Sequence, residues 1–489
     1  MAAPRTPSAE DVPVRFKPRL VLLTAAVATA VALAPLPGLS PAAHRVLVIL
    51  VVAAGLWMSE ALPVAVTALV IPLLALLLGA ADARTAFAGF GDPIVFLFFG
   101  TFMLTEAADR HGLNRRLAEA VLGSRWVSAQ PRLLLWAVAL LGCAISAWVN
   151  NTATTALLLP LALTAETAGS RRLLVGTLLA ASYGPSLGGI ATPVGTAPNL
   201  IGLRLLEQGT GARPSFAAWC AVFAPLAILM TLLSAWWLGG GAGATPLKGK
   251  VGPPGDIPAA PRVSEGRPWS LAERTLLPVF IIVVLLWITP GILAATPLRD
   301  AVWLKTWQTR LPEPAVPLLG ALTLFMFPSG EPGGSRVLDI RVLRRVDWST
   351  LLLFGGGLTL GALMFESGLA RSLGEAIFHA MPLHGTYGIV LAATLMAVLV
   401  SELTSNTASA SLVVPVVLAL AQVAGVDPLK PALAATVACS FGFMLPVSTP
   451  PNALVYSTGR ITIREMITQG VLLDVVGIVL VSTWVTLLA

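Results

Sequence analysis

Apolar runs recur along almost the whole chain, separated by short charged breaks, and many approach the ~20 residues that a helix needs to cross a hydrocarbon core. Continuous runs lie near 20–37, 45–60, 63–80, 93–108, 171–207, 216–238, 271–290, 311–328, 348–367, 431–459 and 467–488. Two others, 133–167 and 386–421, are interrupted halfway by polar residues. A run broken at half the membrane thickness predicts a helix that enters, turns near the midplane and returns. Irregular backbone at that depth is tolerated only when it is buried in protein or lines a cavity. The pattern predicts an all-α polytopic membrane protein with about 11 transmembrane helices and two re-entrant helical hairpins.

Composition agrees. Of the 489 residues 56% are apolar and 11% charged, and mean hydropathy is +0.84, whereas soluble domains carry about a quarter charged residues. A water-soluble globule of this size would lack the polar surface to cover itself. The net charge of +7 lies in loops between apolar runs, which argues against a nucleic-acid partner and points to the lipid bilayer. Basic clusters fall at 109–132 (Arg110, Arg115, Arg116, Arg125, Arg132), 239–270 (Lys248, Lys250, Arg262, Arg267) and 329–347 (Arg336, Arg341, Arg344, Arg345). With the basic N-terminus these are expected to face the cytoplasm of a bacterial-type inner membrane, which leaves the C-terminus external. Residues 20–37 are read as a first span rather than a cleaved signal, because the run is long enough to cross and further spans follow. Cys143, Cys220 and Cys439 lie inside apolar stretches without ligand spacing and are expected to pack as small hydrophobes.

The Gly- and Pro-rich segment 239–270 separates two copies of one pattern. A shift of 256 residues pairs Phe98 with Phe354, Gly100 with Gly356 and Arg115 with Arg371; a shift of 255 pairs Ser146 with Ser401, Asn151 with Asn406 and Pro160 with Pro415. A shift of 253 pairs Pro193 with Pro446, Thr196 with Thr449 and Asn199 with Asn452. The first copy has five arginines between its opening span and its interrupted stretch, while the second has only Arg371, offset by Glu375. The copies are therefore expected to be inverted in the membrane, as in secondary transporters.

The interruptions read SAWVNNTATTALLLP from Ser146 and SELTSNTASASLVVP from Ser401. Asn, Ser and Thr favour helix N-caps, so Asn150-Asn151-Thr152 and Ser405-Asn406-Thr407 are expected to start each returning half-helix. The exposed N–H groups and positive dipole end then favour an anion. The partner segments Gly188–Asn199 and Gly442–Asn452 carry prolines and glycines inside otherwise spanning runs. Carbonyls freed there, beside hydroxyls and amides, suit a dehydrated Na+. No Arg or Lys occurs in these segments, so a dianion would be held by neutral donors and helix ends. Glu402 is read as a hydrogen-bonding support for the second tip, with proton coupling as the alternative. A membrane enzyme would need positioned acid, base, nucleophile or metal ligands, and His44, His111, His379 and His384 are scattered away from the tips. A channel would not require two matched broken-helix sites.

On these motifs, and on the run CSFGFMLPVSTPPNALV from Cys439, the chain resembles the divalent-anion/sodium symporter family from about residue 20 to its end. The resemblance implies a homodimer with an elevator mechanism, in which a scaffold holds the dimer while a transport domain moves. It implies substrate contacts from Asn150, Asn151, Thr152, Ser405, Asn406, Thr407, Thr449 and Pro450. It also implies two or more Na+ ions, held by Ser146, Asn151 and Gly195 in one copy and by Ser401, Asn406 and Ser448 in the other. Asn150 departs from the family's usual serine, which bears on substrate size and on the first cation position. The expected cargo is a small C4-dicarboxylate such as succinate, malate or fumarate, carried by Na+ symport; sodium-independent exchange, citrate and sulfate are the alternatives.

On this reading the chain divides into a cytoplasmic tail 1–19, scaffold helices 20–92, a first inverted repeat 93–238 with hairpin 133–167, and a cytoplasmic linker 239–270. Scaffold helices and a cytoplasmic loop follow at 271–347, then the second repeat 348–489 with hairpin 386–421.

Overall fold

The computed structural model describes residues 17–122, 130–168, 170–240, 268–331, 334–380 and 385–488. Most of the expected N-terminal tail, Arg125, and residues 241–267 of the expected linker lie outside the described residues. The rest is helical; among the described residues the only β pairing is an isolated bridge between Pro328 and Arg336.

The first three helices are α1 (Pro18–Leu33), α2 (Pro41–Ser59) and α3 (Val64–Leu77). A short α4 (Ala83–Ala88) follows, and the expected first repeat holds α5 (Pro93–Arg110), α6 (Leu113–Leu122), α7 (Pro131–Ser146), α8 (Asn151–Leu163), α9 (Arg171–Gly189), α10 (Ala197–Thr210) and α11 (Phe216–Leu238). Then come α12 (Leu271–Ala294), α13 (Val302–Arg310) and α14 (Ala315–Leu324). The expected second repeat holds α15 (Trp348–Glu366), α16 (Leu369–Ala380), α17 (Gly385–Leu403), α18 (Asn406–Val423), α19 (Leu429–Ala438), α20 (Pro450–Ser457) and α21 (Ile463–Leu488).

Helix starts follow the capping rules. The Ser40 hydroxyl accepts from Ala43 N–H, the Asp92 carboxylate from Ile94 N–H and the Ser215 hydroxyl from Ala218 N–H, with proline in the first turn of α2 and α5. Among the described residues eight helices are long and apolar enough to cross a membrane, and shorter apolar helices lie at 18–33, 64–77, 132–146, 315–324 and 429–438. Burial separates their roles. The apolar window of α12 is 17% buried, as expected of a helix facing lipid, whereas that of α18 is 72% buried and belongs to the protein core.

The repeat seen in the sequence is a repeat of packing. In the first copy α7, α8 and α11 pack on α9; in the second α17, α18 and α21 pack on α19. The halves interlock crosswise, with α20 against α9 and α8, and α10 against α19 and α18. Gly202 of α10 permits this approach, since a methyl group there would collide with Thr436 of α19. The apolar runs 171–207 and 431–459, each read as one span, are fully broken, at 190–196 and 439–449. Pro193, Pro198, Pro446, Pro450 and Pro451 lack the donors that would carry a helix through.

A bidentate ion pair joins the copies. Arg171 at the start of α9 donates from its Nε to Glu465 Oε1 at 2.9 Å and from a terminal nitrogen to Oε2 at 2.7 Å. Both side chains are less than one-fifth exposed (18% and 14%), a setting in which such pairs exceed ordinary surface salt bridges. Glu465→Gln is expected to cost ~1–3 kcal/mol, read as a fall of a few degrees in the thermal midpoint of the detergent-solubilised protein. In the Arg171→Met background the same change should cost much less; equal costs in both backgrounds would show that the pair is not what joins α9 to α21.

Candidate functional site

Each hairpin turns where a polar residue takes over from the helix ladder. In the first copy α7 ends at Ser146, and Asn150 precedes α8 with its side-chain oxygen accepting from Thr152 N–H at 2.7 Å and Ala153 N–H at 3.4 Å. The Ser146 hydroxyl donates to Asn151 Oδ1 at 2.5 Å. In the second copy Ser405 accepts from Ala408 N–H at 3.3 Å, and the Ser401 hydroxyl donates to Asn406 Oδ1 at 3.0 Å and to the Cys439 carbonyl at 2.7 Å. Asn150, Asn151, Thr152, Ser405, Asn406 and Thr407 are all half-buried, as expected of groups lining a cavity.

The broken helices meet these tips. Asn199 Nδ2 donates to the carbonyls of Gly189 at 2.9 Å and Thr192 at 2.8 Å, and Asn452 Nδ2 to those of Gly442 at 2.8 Å and Leu445 at 2.9 Å. In both copies the bonds reach ten and seven residues back along the chain, so one asparagine side chain stitches each break. Thr192 ties the first break to its hairpin by donating to the Ala147 carbonyl at 2.6 Å. Ser448 does so in the second by donating to the Glu402 carbonyl at 3.1 Å and to Glu402 Oε2 at 2.6 Å.

The residues expected at the cation positions lie near one another. A methyl on Gly189 would come within 2.8 Å of Asn151 Oδ1, and one on Gly195 within 2.5 Å of the Gly189 oxygen and 3.1 Å of the Ala147 oxygen. Ser146, Asn151 and Gly195 therefore share one small volume edged by carbonyls. A methyl on Gly442 would lie 3.0 Å from Ser448 Cβ and 3.6 Å from Ser401 Oγ, which gathers Ser401, Asn406 and Ser448 likewise. Such neutral oxygen donors fit a hard monovalent cation. Thr449 is buried and caps α20 through Asn452 N–H at 3.2 Å, while Pro450 beside it is exposed.

The copies are tied directly by the Ser182 hydroxyl, which donates to Asn452 Oδ1 at 2.6 Å, and by Tyr183, which donates to the Phe443 carbonyl at 2.8 Å. Neither was singled out from the sequence, because a polar residue within a helical run gives no hint of a partner some 260 positions away. Asp474 was also missed, although a lone aspartate in an apolar span is a signal in its own right. A surface cleft of about 240 Å³ lies elsewhere, lined by Arg110, His111, Ser270 and Glu331 among others. Arg110 is held there by Asp339 at 2.9 Å, a pairing that accounts for the charge without a ligand.

With this geometry in place, comparison decides the family. The sodium:sulfate symporter transmembrane region matches residues 18–488. The chain belongs to this family. An uncharacterised transporter of Haemophilus influenzae is 31% identical over 458 residues, covering 91% of each chain. The sodium-dependent dicarboxylate transporter SdcS of Staphylococcus saprophyticus is 31% identical over 444 residues, covering 87% of this chain and 82% of the relative. Among solved structures, the Alcanivorax borkumensis YdaH transporter aligns with a TM-score of 0.54 at 17% identity, covering 82% of this chain and 86% of that one. Neisseria gonorrhoeae MtrF aligns with a TM-score of 0.58 at 13% identity, covering 97% and 94%. At such identities these two share the fold alone. The family member described here is a multi-pass inner-membrane transporter, not an enzyme, and its class is that of Na+-coupled anion carriers.

Gly195→Ala should be more damaging than an ordinary glycine replacement, because the new methyl meets two main-chain oxygens that have nowhere to retreat. Sodium-dependent uptake is expected to fall at least about tenfold, as a loss of ~1.4 kcal/mol or more at the cation position requires. The detergent-solubilised protein should stay monodisperse. Unchanged uptake would remove Gly195 from that position.

Proposed function

We propose that this chain carries a C4-dicarboxylate, such as succinate, malate or fumarate, across the inner membrane in symport with two or more Na+ ions. The observation that carries this reading is the pair of capped helix starts, Asn150-Asn151-Thr152 and Ser405-Asn406-Thr407, each half-buried and each beside a carbonyl-lined break stitched by an asparagine. A dianion between them meets amides, hydroxyls and dipole ends worth ~0.3–2 kcal/mol each, and the co-bound cations supply the balance of charge. Release is then tied to cation departure, with no guanidinium to hold the substrate back.

The two starts are not equivalent. Asn150 turns its oxygen onto Thr152 N–H and Ala153 N–H, the second and third donors of α8. Ser405 takes only Ala408 N–H, which leaves the amides of Asn406 and Thr407 to a ligand. In this reading one carboxylate of the substrate sits on the main-chain donors of the second tip. The other meets the side chains of Asn151 and Thr152, with Thr449 and Pro450 closing the site from α20. Ser146, Asn151 and Gly195 hold one cation, and Ser401, Asn406 and Ser448 another. The SdcS relatives, named as sodium-dependent dicarboxylate transporters, support this substrate class over citrate or sulfate. The reading also includes a homodimer working as an elevator, with α1–α4 and α12–α14 in the scaffold, the N-terminus cytoplasmic and the C-terminus external.

Reconstituted protein should take up labelled succinate several-fold faster with an inward Na+ gradient than without one. Asn406→Ala should abolish that uptake while leaving the oligomeric state unchanged. Uptake indifferent to Na+ but accelerated by internal succinate would replace symport with exchange, and full activity of Asn406→Ala would displace the substrate site.

A further inference from the structure

The connection from α14 to α15 carries arginines that the transport reading leaves without a task. It tightens into a short 3-10 turn, Ile340–Arg344, which starts where the Asp339 carboxylate accepts from Arg341 N–H at 2.8 Å. Leu338, Val342 and Val346 are buried beneath the turn. Arg341, Arg344 and Arg345 stand exposed on its outer side. A cleft of about 110 Å³ opens between this turn and the end of α5, walled by Glu106, Arg110, Arg341 and Arg345 over Leu338 and Val342.

The charges around the cleft do not cancel. Arg110 donates to Asp339 Oδ2 at 2.9 Å and Arg345 to Glu106 Oε1 at 2.6 Å. Both oxygens of Asp339 are thereby committed, one to the Arg110 guanidinium and one to the Arg341 N–H. The Arg341 guanidinium is left over: among the described residues its side chain forms no ion pair and no hydrogen bond. Three cations meet two anions, and one positive charge at the cleft is unanswered. Along α5 the surface then changes character. Glu106 and Arg110 share their side of the helix with Phe102, Phe99 and Phe96, each at least partly exposed, at the three- and four-residue spacing of a helix stripe. Trp348, half-exposed at the start of α15, lies against Phe99 with ring centroids 5.7 Å apart, and its indole N–H donates to the Leu343 carbonyl at 2.8 Å. From Glu106 to Phe96 the helix rises ~15 Å, about half of a ~30 Å hydrocarbon core. The strip is one leaflet deep, ionic at its end and aromatic along its length.

We propose that this strip binds one anionic phospholipid: its phosphodiester enters the cleft and is held by Arg341, and an acyl chain lies along Trp348, Phe99 and Phe96. A guanidinium fork matches phosphate oxygens, and a monoanion cancels the one positive charge left over. Basic side chains clustered at the end of a span attract anionic headgroups in general. Here the charges lining the cleft are paired in all but one case, so the selection falls on a single residue. A phosphate free in solution would satisfy Arg341 equally and leave the aromatic strip without a function; the ligand that uses both ends is a lipid.

Native mass spectrometry and thermal midpoints of the full chain in detergent test the site, with phosphatidylglycerol, phosphatidylcholine and glycerol phosphate as probes. Phosphatidylglycerol should bind and raise the midpoint. Phosphatidylcholine, whose own cation answers its phosphate, and glycerol phosphate, which has no chains, should bind at least about fivefold more weakly. Arg341→Ala should weaken phosphatidylglycerol about fivefold, the share of one arginine at an anionic surface, and leave the lipid-free midpoint unchanged, because that side chain holds nothing within the protein. Arg299→Ala, which removes an exposed arginine between α12 and α13, should leave lipid binding as it is. Equal affinity for phosphatidylcholine, or full affinity in Arg341→Ala, overturns the site. An equal loss in Arg299→Ala replaces it with diffuse surface charge, and glycerol phosphate binding as tightly as the phospholipid replaces it with a free-phosphate site. An Arg341→Ala protein that changes oligomeric state yet binds lipid as before would show that a second copy covers this face. None of these readouts involves Na+ or succinate, so failure of the transport reading would be seen separately.

Discussion

Irregular backbone at membrane depth must have every main-chain group answered from within the protein, and two asparagine side chains meet that demand. Asn199 and Asn452 each reach back across a broken helix and bind the two carbonyls that the helix ladder has released. A buried carbonyl left unanswered costs ~1–3 kcal/mol, and each break would otherwise leave at least two. The breaks in turn place Gly189, Gly195, Gly442 and Ser448 against the hairpin tips, so the site exists only where the stitching holds. Function here depends on an interior solution to a solvation problem.

The sequence carried this local chemistry openly. A polar interruption halfway through an apolar run, followed by Asn and Thr at N-cap positions, is visible without a structure, and the offsets of 253–256 residues declared that it occurs twice. The long-range ties were not legible. Nothing in the run around Ser182 and Tyr183 announces partners at Asn452 and Phe443, because a helix-period pattern reports which face is buried and not what buries it. Span lengths were overread for the same reason. Residues 311–328 are apolar apart from Glu313 and Thr323, yet the helix is only Ala315–Leu324, and hydropathy alone does not see the ends at which the chain turns.

Burial corrected another ambiguity. By length and apolarity α18 qualifies as a span, and so does α12. What separates them is that α18 begins at a serine cap beside the second broken helix and is packed on α16, α10 and α19, whereas only 17% of the apolar window of α12 is buried. A sequence window gives the same score to a helix that faces lipid and to one that faces other helices, since both environments are apolar. Packing distinguishes the half-helix of a hairpin from a wall helix.

The repeat is symmetric in backbone and asymmetric in charge. Under the offset that pairs Ser146 with Ser401, Glu402 corresponds to Ala147. At the first tip the tie between hairpin and break is a neutral one, from the Thr192 hydroxyl to the Ala147 carbonyl; at the second it runs from Ser448 into a carboxylate. In the proposed reading this sets an order. A cation at the second tip would sit one hydroxyl away from the Glu402 carboxyl, while a cation at the first would meet only carbonyl and amide dipoles. The second position should therefore fill at lower cation concentration and leave last. The free amides of Asn406 and Thr407 stand beside that same position, so the better-held cation is also the one nearest the main-chain donors offered to the anion. The two frames are alike in backbone, and the carboxyl at Glu402 is what makes the second the firmer anchor in this reading.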